Sequence, residues 1–220
     1  MGLVQKKTET FSDPSRDCAL CPRLEAFRCK NRVAFPDKFN APVPAYGSLD
    51  AEFLVVGLAP GLKGANFSGR PFTGDYAGEL LYQTLLKTGF AKGVYGAHKD
   101  DGVELTNCRI TNAVRCVPPE NKPTPEEMRQ CLPFLENEFA AMPNLRVILA
   151  LGRISHDSVL RASGEKKPSQ FAFGHAAEHQ LSNGVTLIDS YHCSRYNTQT
   201  KRLTEEMFAS VIHKAMELLK

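Results

Sequence analysis

The chain has 220 residues, 42% hydrophobic and 23% charged, with 27 lysines and arginines against 24 aspartates and glutamates for a formal net charge of +3. That mixture excludes collagen, coiled coil and disorder, and a chain of this size buries about 70% of the surface its open form would expose. A net charge of +3 permits a nucleic-acid partner without arguing for one, because the distribution of charge matters more than its sum. No apolar run reaches the ~18 residues of a membrane span. The opening residues, MGLVQKKTETFSDPSRDC, lack the apolar core of a secretion leader. One domain over residues 1–220 and a cytoplasmic location are therefore expected.

Four short apolar runs carry the fold: EFLVVG (52–57), CRITNAV (108–114), LRVILALG (145–152) and VTLIDS (185–190). Each has the pattern of a strand buried on both faces of a parallel sheet. Helical segments lie between them. Residues 75–88 place Leu80, Leu81, Leu85 and Leu86 at helical spacing. Residues 125–140 follow Thr124, an N-cap, with Pro125 at the first helical position and Glu127 completing a capping box; Pro133 is expected to bend this helix. Residues 204–219 set Met207, Phe208, Val211, Ile212 and Ala215 on one stripe. Residues 31–50 and 164–180, punctuated by Pro and Gly, read as irregular. The alternation makes an α/β fold with helices on both faces of a parallel sheet.

In open parallel sheets, ligands bind beyond the carboxyl ends of the strands. That rule selects residues 57–75, 111–125, 152–158 and 190–204. The first of these opens Gly57-Leu58-Ala59-Pro60-Gly61-Leu62-Lys63-Gly64, as if a backbone must approach a ligand closely. It has neither the Gly-Lys-Ser/Thr ending of a phosphate loop nor the dinucleotide fingerprint. Phe67 and Phe72 follow among small polar residues; each is either a platform for a stacked base or an apolar plug under the loop.

The cysteines are Cys18, Cys21, Cys29, Cys108, Cys116, Cys131 and Cys193. An odd count without a leader argues against a disulfide framework and for a metal site. Cys18 and Cys21 form a CxxC pair, and Cys116 and Cys131 are candidates to complete the set. The spacing does not separate zinc from iron–sulfur, and it leaves Cys116 and Cys131 open as plain buried thiols. Cys108 lies in a strand and reads as core; Cys29 has no assigned role.

Taken together, CALC (18–21), GLAPGLKGANFSGRPFTGD (57–75), ITNAVRCVPPENKPTPEEMRQC (110–131) and YHCSRYNTQTKRLT (191–204) resemble the iron–sulfur uracil-DNA glycosylases. The resemblance spans about 16 to 219 and is greatest to the fifth family, the type-5 enzymes. The fourth family usually carries an acidic residue directly after the opening glycine of the first motif, where this chain has Leu58 and then Ala59. The sequence Thr73-Gly74-Asp75 is the fifth family's. Cys193 stands where many relatives have proline.

The resemblance implies a three-layer α/β/α sandwich around a mostly parallel four-stranded sheet. It implies a 4Fe–4S cluster on Cys18, Cys21, Cys116 and Cys131. It also implies a monomeric DNA-repair glycosylase that hydrolyses the N-glycosidic bond of uracil in DNA, and of other deaminated bases such as hypoxanthine, leaving an abasic site. No lysine in these motifs is placed as the amine of a lyase step.

Such an enzyme flips its target base into a pocket, then needs negative charge near the cationic sugar and hydrogen-bond donors at the departing base. Asp75 suits the first need, Asn112 and His192 the second. Asn112 offers a donor and an acceptor side by side, as uracil's edge requires. Gly57, Ala59 and Phe72 match the motif that holds the base, with Phe72 stacking on it. Ser194, Arg195, Tyr196 and Asn197 are the expected DNA contacts, Arg195 to phosphate and Tyr196 as a wedge, with Lys201 and Arg202 extending the basic stripe. Plainer readings stand beside these: Asp75 as a carboxylate favouring a helix N-terminus, Asn112 as a turn former, His192 as a satisfied structural histidine, and the other Arg and Lys residues as a solvated surface. Leu58 and Ala59 leave a common catalytic position apolar. A non-catalytic DNA-binding module with a structural cluster is therefore the competing reading, ahead of an electron-transfer protein.

Overall fold

A computed structural model describes residues 11–220; the readings that touch residues 1–10, on a secretion leader and on the start of the domain, lie outside the described residues. The four expected strands form as β1 (Phe53–Gly57), β4 (Cys108–Asn112), β5 (Val147–Leu151) and β7 (Thr186–Ser190). They pair in parallel in the order β4-β1-β5-β7. The sheet has five strands, not four. β6 (Glu178–Gln180) adds an antiparallel edge beside β7, within the segment expected to be irregular. Its sequence, Glu-His-Gln, has no apolar signal; pairing with β7 alone makes it a strand. A two-residue hairpin of β2 (Ala91–Lys92) and β3 (Glu104–Leu105) stands apart.

Side chains alternate across β1 and sort into two cores. Phe53 and Val55 pack with α3 (Tyr76–Thr88) and α7 (Glu205–Leu218), through Leu81, Leu85, Phe208 and Val211. Leu54 and Val56 pack with α4 (Pro125–Ala140) and α5 (Arg153–Ala162), through Leu135, Val159 and Leu160. This is the three-layer sandwich. Thr124 caps α4 with the full capping box, and the helix runs on through Pro133. A further correction concerns α1 (Pro22–Ala34), which makes residues 31–34 helical. Its polar sequence buries Leu24, Arg28 and Asn31, too little apolar surface to show as a stripe.

Several arginines expected at a solvated surface are buried in ion pairs. Glu138 accepts from Arg109 Nε at 2.7 Å and Arg115 Nη2 at 2.5 Å, while Arg115 Nη1 reaches Asp13 at 2.8 Å. Under β7, Asp189 accepts from His156 Nδ1 at 2.8 Å and lies 3.2 Å from His179 Nε2. His156 Nε2 faces the Phe171 carbonyl at 3.0 Å. Burial lowers the pKa of His156, but the Asp189 bond and charge and the Phe171 carbonyl outweigh it, so the net shift is upward.

Arg70 forks onto Asp101 at 2.8 and 2.7 Å and lies over the rings of Tyr46, Tyr82 and Tyr95 at 5.4, 4.9 and 5.9 Å. Burial disfavours the Asp101 carboxylate, but the Arg70 fork and the N–H groups of Val103 and Gly96 prevail and hold its pKa well below the usual range. Asp101→Asn should therefore lower stability at pH 7 by ~3 kcal/mol, the cost of stripping one partner from a buried pair. A depressed pKa stabilises fully above the unfolded value of ~3.9 and ceases to do so as pH falls through the folded value. The gap between variant and wild type in denaturant midpoint should accordingly narrow between pH 7 and pH 3; a constant gap would contradict the ion pair.

Candidate active site

The carboxyl ends of β1, β4 and β7 open into a cleft of about 660 Å³, lined by Ala59, Phe72, Asp75, Asn112, His192 and Arg195 among others. Residues expected from three separate motifs thus meet in one place. The register sets the floor: β1 and β4 run side by side with Gly57 opposite Asn112. Gly57 does not line the cleft but makes room within it. A Cβ there would come to 2.4 Å from Asn112 Oδ1 and 2.5 Å from the Phe72 ring. The Asn112 amide is buried and bonds to no side chain or backbone group among the described residues, so its donor and acceptor face the cleft.

Phe72 sits on strained backbone, with φ of 52°. Three groups hold it there. Tyr95 OH donates to its carbonyl at 3.2 Å, Tyr82 OH donates to the Pro71 carbonyl at 2.9 Å, and Arg70 Nε donates to Thr73 Oγ1 at 2.8 Å. Gly78 permits the approach: a Cβ there would lie 1.7 Å from the Phe72 carbonyl oxygen. The Phe72 ring is buried and lies 6.3 Å from the His192 ring, centroid to centroid. Phe67, by contrast, packs against Phe35 at 4.9 Å and does not line the cleft.

Asp75 caps a helix, as its plainer reading expects, and also lines the cleft. Oδ1 accepts the Gly78 N–H at 3.0 Å and caps α3. Oδ2 points at the glycine loop, where a Cβ on Gly64 would come within 2.4 Å of it. The helix cap fixes the carboxylate and leaves one oxygen for the cleft. His192 follows β7; burial pulls its pKa down, with the Asp75 charge opposing, and the net shift is downward. A neutral imidazole keeps one N–H to donate.

The four expected DNA contacts divide. Ser194 Oγ accepts the Asn197 N–H at 3.4 Å and caps α6 (Arg195–Gln199), while Asn197 Nδ2 donates to the His192 carbonyl at 2.8 Å. Both side chains hold the loop that carries His192. Arg195 and Tyr196 face outward: Tyr196 is 70% exposed, and the Arg195 guanidinium lies 5.4 Å over the Tyr76 ring at the cleft mouth. Arg202 stacks on Tyr191 at 4.6 Å. The glycine loop read as approaching a ligand does line the cleft, Gly61 and Gly64 included, whereas sequence reasoning gave no role to Tyr76 or Asn121, which also line it.

Cys18, Cys21, Cys116 and Cys131 line a second, small pocket with Leu24, Arg28 and Val114. None is in a disulfide. No three of the sulfurs lie mutually within 4.8 Å; among the described residues that spacing is met by His156, His179 and Asp189, already joined by hydrogen bonds. Burial, aided by neighbouring cysteines, pushes the thiols of Cys21, Cys116 and Cys131 up to about 11. Arg28 opposes this at Cys116, donating from Nη1 at 3.5 Å, and the Arg115 N–H does so at Cys131, at 3.4 Å. Cys108 and Cys193 are buried elsewhere, Cys193 donating to the Ala77 carbonyl at 3.4 Å, and Cys29 is exposed on α1.

The profile of the uracil DNA glycosylase superfamily matches residues 44–215. The chain belongs to that superfamily. It is 44% identical over 215 residues to a type-5 uracil-DNA glycosylase of Thermus thermophilus, covering 96% of this chain and 97% of the relative. It is 39% identical over 203 residues to a type-5 enzyme of Pyrobaculum aerophilum, covering 90% of this chain and 88% of that one. A type-4 uracil-DNA glycosylase from the same organism is 33% identical over 152 residues, covering 69% of this chain and 63% of the relative. The superfamily membership fits the cleft at the strand ends.

Gly57→Ala tests the geometry of the floor. It should cost ~1–3 kcal/mol, the usual penalty of overpacking, because both the Asn112 amide and the Phe72 ring must move. A thermal midpoint equal to the wild type's would show that these groups are not held.

Proposed function

We propose that the cleft removes uracil from DNA, hydrolysing the N-glycosidic bond and leaving an abasic site. The observation that carries this reading is the meeting of Asp75 Oδ2, the Asn112 amide and His192 around one buried aromatic face, Phe72. A flipped base stacks on Phe72. Asn112 reads its edge with one donor and one acceptor. As the bond breaks, positive charge grows on the sugar and negative charge on the base. Asp75 stabilises the first and orients the attacking water, and the neutral His192 ring donates to the base carbonyl that gains charge. Hypoxanthine presents the same carbonyl beside an N–H, so the same amide serves it. Outside the cleft, Arg195 holds a phosphate, and Tyr196 fills the gap left in the duplex. The enzyme works as a monomer on cytoplasmic DNA.

The cysteine pocket fits a 4Fe–4S cluster held by Cys18, Cys21, Cys116 and Cys131. Sulfurs around one zinc ion, each ~2.3 Å from it, crowd more tightly than these. Desolvation raises the pKa of three of these thiols, Cys21, Cys116 and Cys131, and Arg28, whose Nε is buried without a partner among the described residues, suits sulfur ligands carrying negative charge. When bound, the cluster supplies iron–sulfur bonds that cross-link the N-terminal segment to the loop and helix after β4.

Incubated with an oligonucleotide holding one labelled uracil, the protein should release free uracil and leave an alkali-sensitive site. Asp75→Ala should lower single-turnover release at least about tenfold while DNA binding survives, because a charge needed mainly in the transition state affects rate more than affinity. No release by the wild type would sink the reading. Protein purified without air should be yellow-brown, with iron and acid-labile sulfide; stoichiometric zinc without sulfide would rule out the cluster.

A further inference from the structure

The reaction assigned to the cleft leaves one strand-end segment without a role, residues 152–158 after β5. Its backbone abuts the site: a Cβ on Gly152 would come 3.6 Å from that of His192, and the Gly152 N–H donates to the Ser190 carbonyl at 2.8 Å. One helical turn on, α5 buries His156. Both ends of its ring meet oxygen. Nδ1 lies 2.8 Å from Asp189 Oδ1, and Nε2 lies 3.0 Å from the Phe171 carbonyl oxygen, which has no proton to give. The other Asp189 oxygen accepts the Gly174 N–H at 3.4 Å and faces His179 Nε2 at 3.2 Å, an arrangement that suits the ionised carboxylate. A neutral imidazole has one N–H and serves only one of the two partners; the imidazolium serves both. The charged and titratable groups facing the ring are Asp189 of β7, His179 of β6 at 5.5 Å between rings, and Asp157 of α5 itself, and the two carboxylates favour the charged ring.

The bond to Phe171 holds the segment 171–175 against the sheet. Phe173 packs on the His156 ring at 5.6 Å and on the Tyr191 ring at 6.2 Å. His175 stacks on Tyr191 at 5.2 Å, and its Nδ1 accepts the Tyr191 N–H at 3.3 Å. Tyr191 directly precedes His192 and carries Arg202 over its ring at 4.6 Å. Losing a proton changes this contact more than the other. The carboxylate keeps the remaining proton on Nδ1, so the Nε2 lone pair then faces the Phe171 oxygen and attraction becomes repulsion.

We propose that His156 is a positioning residue for the cleft: as an imidazolium it clamps residues 171–175 onto β7 and so sets Tyr191 and His192, and it releases that segment when the ring loses a proton. What His192 does once set rests on the uracil-excising reading above; the clamp itself does not. Burial disfavours the charged ring, but the Asp189 bond and charge and the Phe171 carbonyl outweigh it and raise its pKa. A raised pKa makes the clamp complete below the unfolded value of ~6.5 and loses it as pH rises through the folded value.

The test uses the full chain with its native metal content, labelled with nitrogen-15 and titrated from pH 5.5 to pH 9. The His156 ring, assigned through its backbone, should carry two protons at pH 5.5 and lose the one on Nε2 above neutrality. Over the same range, amide hydrogen exchange at residues 171–175, corrected for its intrinsic pH dependence, should quicken about fivefold, as for one lost hydrogen bond. The Tyr191 and His192 amide signals should shift with the same midpoint. His156→Gln keeps a donor for Asp189 but cannot charge, so its exchange at 171–175 should match the alkaline wild type's at every pH. Single-turnover uracil release by the wild type should exceed the variant's by a similar factor at pH 6 and equal it at pH 9. Should His156→Gln fail to fold, the wild-type titration decides alone. A His156 ring with one proton throughout, exchange at 171–175 indifferent to its titration, or a rate ratio constant with pH would overturn the proposal. A clamp that titrates as expected in a protein releasing no uracil would support it and sink the excision reading instead.

Discussion

The cleft depends on one buried ion pair. Arg70 and Asp101 are nearly sealed from solvent, at 4% and 1% side-chain exposure, and three tyrosines surround the guanidinium. A buried pair is weak support for stability in general, since desolvation consumes much of the attraction. Its value here is geometric. The same guanidinium bonds Thr73, and two of the tyrosines over it bond the carbonyls of Pro71 and Phe72. A five-residue stretch is thus held from both sides, and at its centre Phe72 stays on a backbone that would otherwise relax. The Phe72 ring and the carboxylate of Asp75, three residues on, are delivered to the cleft by that constraint.

Around this anchor, space is created as carefully as contact. Gly57, Gly64 and Gly78 each stand where a methyl group would strike Asn112 and Phe72, Asp75, or the Phe72 carbonyl. In Asp75 the two carboxylate oxygens are divided: one satisfies the first turn of α3, and the other is thereby aimed at the glycine loop. His192 is fixed differently, through its own backbone carbonyl and the cap of α6. Beneath it, the His156–Asp189–His179 cluster ties the segment before β6 to β7, so the strand that carries His192 is braced on its outer side.

The cysteine pocket and the cleft are neighbours through the loop after β4. Val114 and Cys116 belong to the same small apolar cluster as Leu24 of α1 and Cys131 of α4. Arg115, between them, turns the other way into the Glu138 pair. Two adjacent residues therefore join two different interiors. The Thr124 capping box fixes where α4 starts and so where Cys131 falls one helical run later.

The place of the cleft was legible in the sequence because it follows strand ends. Buried parallel strands announce themselves as unbroken apolar runs, and the segments that follow them meet at one edge of the sheet, whichever path the chain takes between; Phe72, Asp75, Asn112 and His192, singled out by their motifs, line one cleft on those terms. The first cysteine pair and the α4 cap were legible because their spacing is local. Tertiary structure decided the rest. β6 and α1 carry too little apolar pattern to be seen, since one is defined by its neighbour and the other by a few buried contacts. Ser194 and Asn197 are as polar in sequence as Arg195 and Tyr196, and only the fold shows that the first two are engaged with backbone while the last two face solvent. Arg70 and Asp101, or His156 and Asp189, are separated by some thirty residues, and nothing local distinguishes a charge that will be buried from one that will not. Burial of a charge is set by which distant partner arrives beside it, and that is a property of the folded chain.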